Sequence, residues 1–290
     1  MATDKTVWFG TEGRMTWIKA PASGMGRTRV GWSAPALLLN GGALQLSSAY
    51  SHLTYDLSWA SLDTPQRTLI KGYAAGLYGS GPLYFVDPSA VNILPLSWSA
   101  PMLTGMDAPS MIRDRRPTLS DISGTVMVGL PSQYATYSID ATMSARVLRI
   151  AIPRGSGVAL YGFGTATGTA RVMAKVRSVP GGGQTSLSVP LFAVSTTTVQ
   201  GGVLPVNNFN GENDIITLEL NGAGTISLAG LQAITYDPTG IFLGQTQYHI
   251  GEGNSGLRFS NPPTEQVYSS RLDLTGMTAQ MIETGEWENA

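Results

Sequence analysis

Residues 51–60, Ser51-His-Leu-Thr-Tyr-Asp-Leu-Ser-Trp-Ala60, alternate apolar and polar positions without a break. Leu53, Tyr55, Leu57 and Trp59 fall on one side; His52, Thr54, Asp56 and Ser58 fall on the other. A period of two over this length is a half-buried β-strand. Immediately downstream the period changes. Asp63 or Thr64 can cap a helix, Pro65 suits its first turn, and Leu69, Ile70, Tyr73, Ala74 and Leu77 recur at helical spacing. Gly79 and Gly81 are the expected stop, so one helix is expected over about 64–79. Residues 82–86, Pro-Leu-Tyr-Phe-Val, read as a strand leaving that helix, and Asp87-Pro88 turns the chain. Upstream, residues 6–9 and 15–19 are short apolar runs containing Trp8 and Trp17. Asn40-Gly41-Gly42, between residues 36–39 and 43–47, is a hairpin signal. The first hundred residues therefore read as a β-sandwich-like domain carrying one α-helix.

Residues 101–117, with Pro101, Pro109 and Pro117, read as a linker. Beyond them the pattern is all-β. Strands are expected at residues 125–129, 136–142, 146–152, 158–163, 171–178, 185–192, 215–220 and 225–236, separated by turn clusters such as Pro180-Gly181-Gly182-Gly183 and residues 207–213. Eight short strands at this spacing predict a sandwich or jelly roll over residues 118–240. The tail, residues 241–290, adds strands at 256–260, 266–273 and 278–286 that either complete the second domain or return to the first. The fold class is thus mainly β.

Composition removes whole classes of function. The 290 residues include 18 Lys+Arg and 19 Asp+Glu, for a net charge of −1, so no basic excess points to nucleic acid. There is no Cys to form a disulfide, bind zinc or act as a nucleophile. No apolar run is long enough for a membrane span, and the N-terminus lacks the pattern of an export signal. Synthesis in the cytoplasm without export is the expectation. Only 13% of residues are charged, half the usual share, which suits a subunit that buries surface against neighbours. Arg outnumbers Lys by 14 to 4, the usage of a GC-rich genome.

Few residues form a recognisable chemical constellation. Gly251-Glu-Gly-Asn-Ser-Gly256 matches G-x-G-x-x-G, but a strand and loop follow it where a dinucleotide site needs a helix, so it reads as a flexible hairpin. The two histidines, His52 and His249, have no nucleophile in a recognisable motif. Asp121, Asp140, Glu212, Asp214 and Glu219 are scattered rather than paired as glycoside hydrolysis requires. Glu212 and Asp214 lie in an Asn- and Gly-rich loop better read as turn chemistry than as a Ca²⁺ site. No catalysis, cofactor or metal is expected. Tyr134, Tyr161, Phe209 and Tyr236 are candidate glycan contacts, because a ring with a polar edge suits a sugar surface. Arg113, Arg115 and Arg116 are candidate inter-subunit contacts.

Val7-Trp8-Phe9-Gly10, the alternating strand at residues 53–59, and the run from Gln66 to Gly79 into Gly81-Pro-Leu-Tyr-Phe-Val-Asp-Pro88 resemble the N-terminal part of the distal tail proteins, or minor tail proteins, of long-tailed bacteriophages. The similarity covers roughly residues 1–100. The second half is similar in architecture to the galectin-like or carbohydrate-binding-module-like sandwich that such proteins carry. The ending Met277-Thr-Ala-Gln-Met-Ile-Glu-Thr-Gly-Glu-Trp287 resembles tail proteins of phages with GC-rich, actinobacterial hosts. The resemblance implies a hexameric ring at the tail tip that joins the tail tube to the adsorption apparatus. Its partners would be further copies, the tail tube protein, the tape measure protein and other tail-tip proteins, with host surface glycan a further partner. The alternatives are a carbohydrate-binding adhesin and, behind it, a glycan-cleaving enzyme.

Overall fold

The computed structural model describes residues 6–22, 26–30, 33–37, 43–47, 52–79, 81–102, 118–121, 128–140, 147–178, 185–191, 195–238, 247–254, 256–269 and 274–284. The chain opens with β1 (Thr6–Gly10), β2 (Thr16–Lys19), β3 (Gly26–Val30), β4 (Ser33–Leu37), β5 (Ala43–Ser47) and β6 (His52–Trp59), followed by α1 (Thr64–Ala74) and β7 (Tyr84–Val86). As the sequence predicts, β4 and β5 pair antiparallel, and Tyr55, Leu57 and Trp59 of β6 point into a core.

Helix α1 starts where expected. The Asp63 carboxylate accepts from the Gln66 N–H at 2.9 Å, satisfying one of the orphan donors of the first turn. It ends earlier than expected. Gly76, at φ +74°, takes the left-handed conformation that L-residues with a side chain avoid. The Leu77 N–H then reaches back to Gly72 O at 2.9 Å and the Gly76 N–H to Tyr73 O at 3.0 Å, a Schellman stop five residues before the expected end. Leu77, expected on the apolar face, falls in that turn and is 74% exposed.

The second domain contains α2 (Leu96–Ser99) at its entry, then β8 (Thr118–Asp121), β9 (Gln133–Ile139), β10 (Val147–Ala151), β11 (Gly157–Ala166), β12 (Arg171–Arg177), β13 (Thr185–Pro190), β14 (Ser195–Asn207), β15 (Ile215–Asn221) and β16 (Gly224–Tyr236). They form a four-stranded sheet, β10-β15-β12-β13, facing a five-stranded sheet, β14-β11-β16-β9-β8. Every pair is antiparallel. Leu148, Ile150, Val172, Ala174, Val176, Ile216 and Leu218 of one sheet meet Tyr137, Val158, Leu160, Ile226 and Leu228 of the other. This is a β-sandwich. Strand β14 escapes the sequence pattern because Gly201, Gly202 and Pro205 read as breakers. Its place at the end of the five-stranded sheet is where a sheet tolerates proline.

The tail supplies β17 (Leu257–Phe259), β18 (Thr264–Ser269) and β19 (Leu274–Glu283). These strands join the first domain, in the order β17-β19-β6-β3, with β18 on β19. Met277, Ala279 and Met281 of β19 share a core with β6, with Val7 and Phe9 of β1, and with Ile70 and Tyr73 of α1. A mutual hydrogen-bonded bridge, Leu83 to Leu257, stitches the end of the β2-β1-β7 sheet to this second sheet. The sandwich is therefore an insertion in a first domain that the chain's own C-terminal strands close.

Two crossings join the domains. Residues 87–102 and 247–254 run side by side, with Glu252 N to Asn92 O at 3.2 Å, Gly253 N to Leu94 O at 2.9 Å and Gly251 N to Ser99 Oγ at 2.8 Å. Here residues 251–254 of the G-x-G-x-x-G stretch pack against the 92–99 segment rather than forming the expected hairpin. A Cβ on Gly251 would stand 2.1 Å from Leu94 O and one on Gly253 1.7 Å from Ile93 O, so backbone contact requires glycine at both positions. An ion pair, Arg149 to Glu12 at 3.1 Å, adds a further tie, with the Tyr84 hydroxyl donating to the same carboxylate.

Candidate functional site

Tyr134, Tyr161 and Tyr236 sit on the outer side of the five-stranded sheet, with unequal access, and Phe209 lies in the loop that follows β14. Tyr161 alternates outward from β11 but is only 6% exposed, packed with Ala159, Phe163, Ala229 and the crossing residue Tyr248. Tyr134 and Tyr236 border that cluster and are half-buried. Phe209 meets Tyr236 edge-to-face, with centroids 5.9 Å apart and planes at 89°. The structure thus brings Phe209 and Tyr236 together at one end of the sandwich and covers Tyr161.

The Phe209–Tyr236 pair is held from both sides. Tyr236 lies over Gly157, where a Cβ would come within 2.2 Å of the ring, so glycine makes room for it. Burial raises the Tyr236 phenol pKa, which keeps the hydroxyl neutral. Phe209 projects from the 207–214 loop, whose centre is Asn208, wholly buried. Its amide donates to Ile152 O at 2.8 Å and to the Asp214 carboxylate at 3.2 Å, its N–H donates to Ser156 O at 2.7 Å, and its Oδ1 accepts from Asn213 N at 3.0 Å. Asn, Gly and Asp at these positions thus serve loop geometry. Arg154 closes the loop by donating to Asn210 O at 3.2 Å above Gly211, whose φ of +80° and lack of a Cβ let the guanidinium lie against the chain. Rigid aromatics beside an exposed guanidinium and the exposed Glu212 can stack on a flat apolar face and hydrogen-bond at its rim.

The remaining candidates are dispersed. Asp121 accepts from Gln133 Nε2 at 3.0 Å, and Glu219 is paired with Lys175 across strands. Arg113, Arg115 and Arg116, with most of the expected linker, lie outside the described residues. Among the described residues no helix is long and apolar enough to cross a membrane. Residues that sequence reasoning missed include Arg154, Asn208 and the buried crossing residue Asn92. Arg154 and Asn92 act on partners far away in the chain, whereas Asn208 lies in the loop read as turn chemistry and only its bond to Ile152 O marks it out.

No protein-family model matches the chain, and no curated protein matches it significantly. Solved structures do. One is the enzymatically active domain of tailspike protein 4 of bacteriophage CBA120, at 14% identity and a TM-score of 0.32, covering 50% of this chain; this chain spans only 22% of that one. Another is TmCBM61 in complex with β-1,4-galactotriose, at 9% identity and a TM-score of 0.29, covering 43% of this chain and 85% of that one. A third is the infectious bursal disease virus Gx strain structure, at 12% identity and a TM-score of 0.23, covering 96% and 71%.

Proposed function

We propose that this chain is a structural virion protein of a long-tailed bacteriophage, assembling into an oligomeric ring at the distal end of the tail and joining the tail tube to the adsorption apparatus. The observation that carries this reading is the division of the chain. The first domain is closed by the C-terminal strands, and the sandwich is carried as an insertion. Strand β3 ends its sheet with no further strand beside it among the described residues. Such an edge offers main-chain groups to another copy, and a ring repeats one such contact until the rotation closes. A low-charge subunit forms that contact without stranding ions. In this role the chain performs no catalysis. Electron microscopy and light scattering of the purified protein test the reading: rings are expected, and a monomer at high concentration overturns it.

A second reading rests on the Phe209–Tyr236 pair and its rigid loop. The sandwich binds glycan at that end, which makes the chain an adhesin as well as a ring subunit. Calorimetry with β-1,4-galactotriose and cell-surface glycans tests this, with Tyr236→Ala expected to abolish the heat at a temperature where the variant is still folded, although losing a ring packed on Gly157 and Phe209 lowers the melting temperature. Equal binding by wild type and Tyr236→Ala refutes it.

A further inference from the structure

We propose that β18 of one copy pairs antiparallel with β3 of the next, so that the first-domain sheet runs unbroken from subunit to subunit. The inference rests on the ring reading above and names the two strands of its repeated contact.

Two segments lie on the far side of β19, and only one of them is open. Strand β17 is in register with residues 281–283 and β18 with residues 274–278. The outward groups of β17 are taken: the Leu257 N–H donates to Leu83 O at 2.8 Å, and Leu257 O accepts from the Leu83 N–H at 2.9 Å. Among the described residues β18 pairs with β19 alone. Its residues 264–268 are exposed on both faces of the strand, Val267 at 63% and Tyr268 at 59%.

A solvent-facing edge in a monomer is commonly guarded by charge. The single charged residue of β18 is Glu265, and it is drawn onto α1, 3.1 Å from Lys71 Nζ and 3.5 Å from Arg67 Nε. Pro262 and Pro263 precede the strand, and its register shifts after Val267. Between these limits Thr264 to Val267 keep regular register. The result is a short, regular edge with its charge turned aside and an exposed apolar side chain, which is the form that accepts another strand.

The order of the sheet makes β3 the matching edge. Read from β18, the order is β18-β19-β6-β3, and every neighbouring pair is antiparallel. Strands β18 and β3 therefore run in opposite directions. A second copy added in the same orientation sets its β18 antiparallel to β3, so the alternation continues without a reversal. The faces match as well. Thr28 of β3 lies opposite Thr54, and Thr264 of β18 lies opposite Thr278, which is itself opposite Ser58. Thr54 and Ser58 share the face of β6 that points away from the core, so the period of two keeps α1 of every copy on one side. A two-fold pairing of β18 with itself would leave β3 open. The head-to-tail contact uses both edges, and a heterologous contact is the kind that closes a ring.

The chain has no cysteine, so introduced thiols report without background. The test uses the full-length chain carrying Thr28→Cys with Thr264→Cys, or Thr28→Cys with Gln266→Cys, all at exposed positions. Each is treated with an oxidant and with a short bis-maleimide that also reaches a neighbour two residues out of register. A ladder of covalent multimers rising to the ring number is expected on a denaturing gel, while each single-cysteine variant stays one chain. Val267→Lys, at an exposed position that leaves the fold in place, should turn rings into folded monomers at the same concentration. Rings in micrographs with no cross-link from either double variant overturn the pairing and leave the ring reading standing, as do rings that survive Val267→Lys. Cross-linking by Thr264→Cys or Gln266→Cys alone means a two-fold β18 contact and also overturns it. Monomers alone in wild type and variants, with no cross-link, overturn both readings.

Discussion

Replacing Asn92 with alanine is expected to cost about 4 kcal/mol and to uncouple the two domains. Asn92 is 1% exposed and uses its full amide at the crossing. Its Nδ2 donates to His249 O at 2.7 Å and to Leu231 O at 3.3 Å, while its Oδ1 accepts from Ala233 N at 3.0 Å and Leu94 N at 3.1 Å. One side chain thus joins the outgoing crossing, β16 and the returning crossing. Each hydrogen bond contributes about 1 kcal/mol net, and a buried group left without a partner costs about 1–3 kcal/mol. Four lost bonds give about 4 kcal/mol, which at about 2–4 °C per kcal/mol lowers the melting temperature by about 8–16 °C. The assay is urea unfolding with differential scanning calorimetry. The wild type is expected to unfold in one cooperative step, whereas Asn92→Ala separates the first domain from the sandwich into two. Asn92→Asp keeps the acceptor but loses both donors and buries a charge, so it should not rescue. A loss below about 1 kcal/mol with a single transition retained would mean that water substitutes for the amide, and the reasoning would fail.

Gly253→Ala places a Cβ 1.7 Å from Ile93 O, so the crossings must part; a loss of about 2 kcal/mol or more and new protease cleavage near residues 92–95 are expected. Gly79→Ala, where φ is +108° but the surroundings are open, should cost only about 1 kcal/mol from backbone strain and serves as the control. The third prediction is alkaline. Burial raises the Tyr248 pKa well above that of a free phenol, and its hydroxyl donates to Ser99 O. The folded pKa exceeds the unfolded one, so the unfolded chain loses its proton first and stability falls as pH rises above about 10. Denaturation midpoints should be flat through the neutral range and drop beyond it. Tyr248→Phe should start lower, by about 1–2 kcal/mol, and fall less steeply; an unchanged slope would show that Tyr248 is not responsible.

The pairings that are local in sequence were legible without coordinates. Period-two alternation identified β6 and its buried face, Asn40-Gly41-Gly42 identified the β4–β5 pair, and Asp63 with Pro65 identified the start of α1, because each signal depends on a few neighbouring residues. The all-β reading of the second half was equally readable, since turn residues at short spacing punctuate it. The helix stop was misread because Gly76, Gly79 and Gly81 are equivalent as letters, and only the carbonyls of Gly72 and Tyr73 select Gly76. Strand β14 was hidden because glycine and proline weaken a strand only in a central position, and being at an edge is a tertiary fact.

The candidate glycan residues were found as a set of rings but not as a site. Aromatics facing a core and aromatics facing solvent carry the same letters, so Tyr161 and Tyr236 were indistinguishable until the returning crossing placed Tyr248 beside one and the 207–214 loop placed Phe209 beside the other.

The sequence by itself determined a charge-poor, cysteine-free, mainly β chain with one substantial helix in its first third, because burial, turn propensity and capping are settled within short windows. Tertiary structure decided that the last strands close the first domain around an inserted sandwich, and that two crossings lock together through Asn92 and two glycines. The physical reason is range: β19 pairs with β6 across more than two hundred residues, and no local pattern records which distant edge a strand completes.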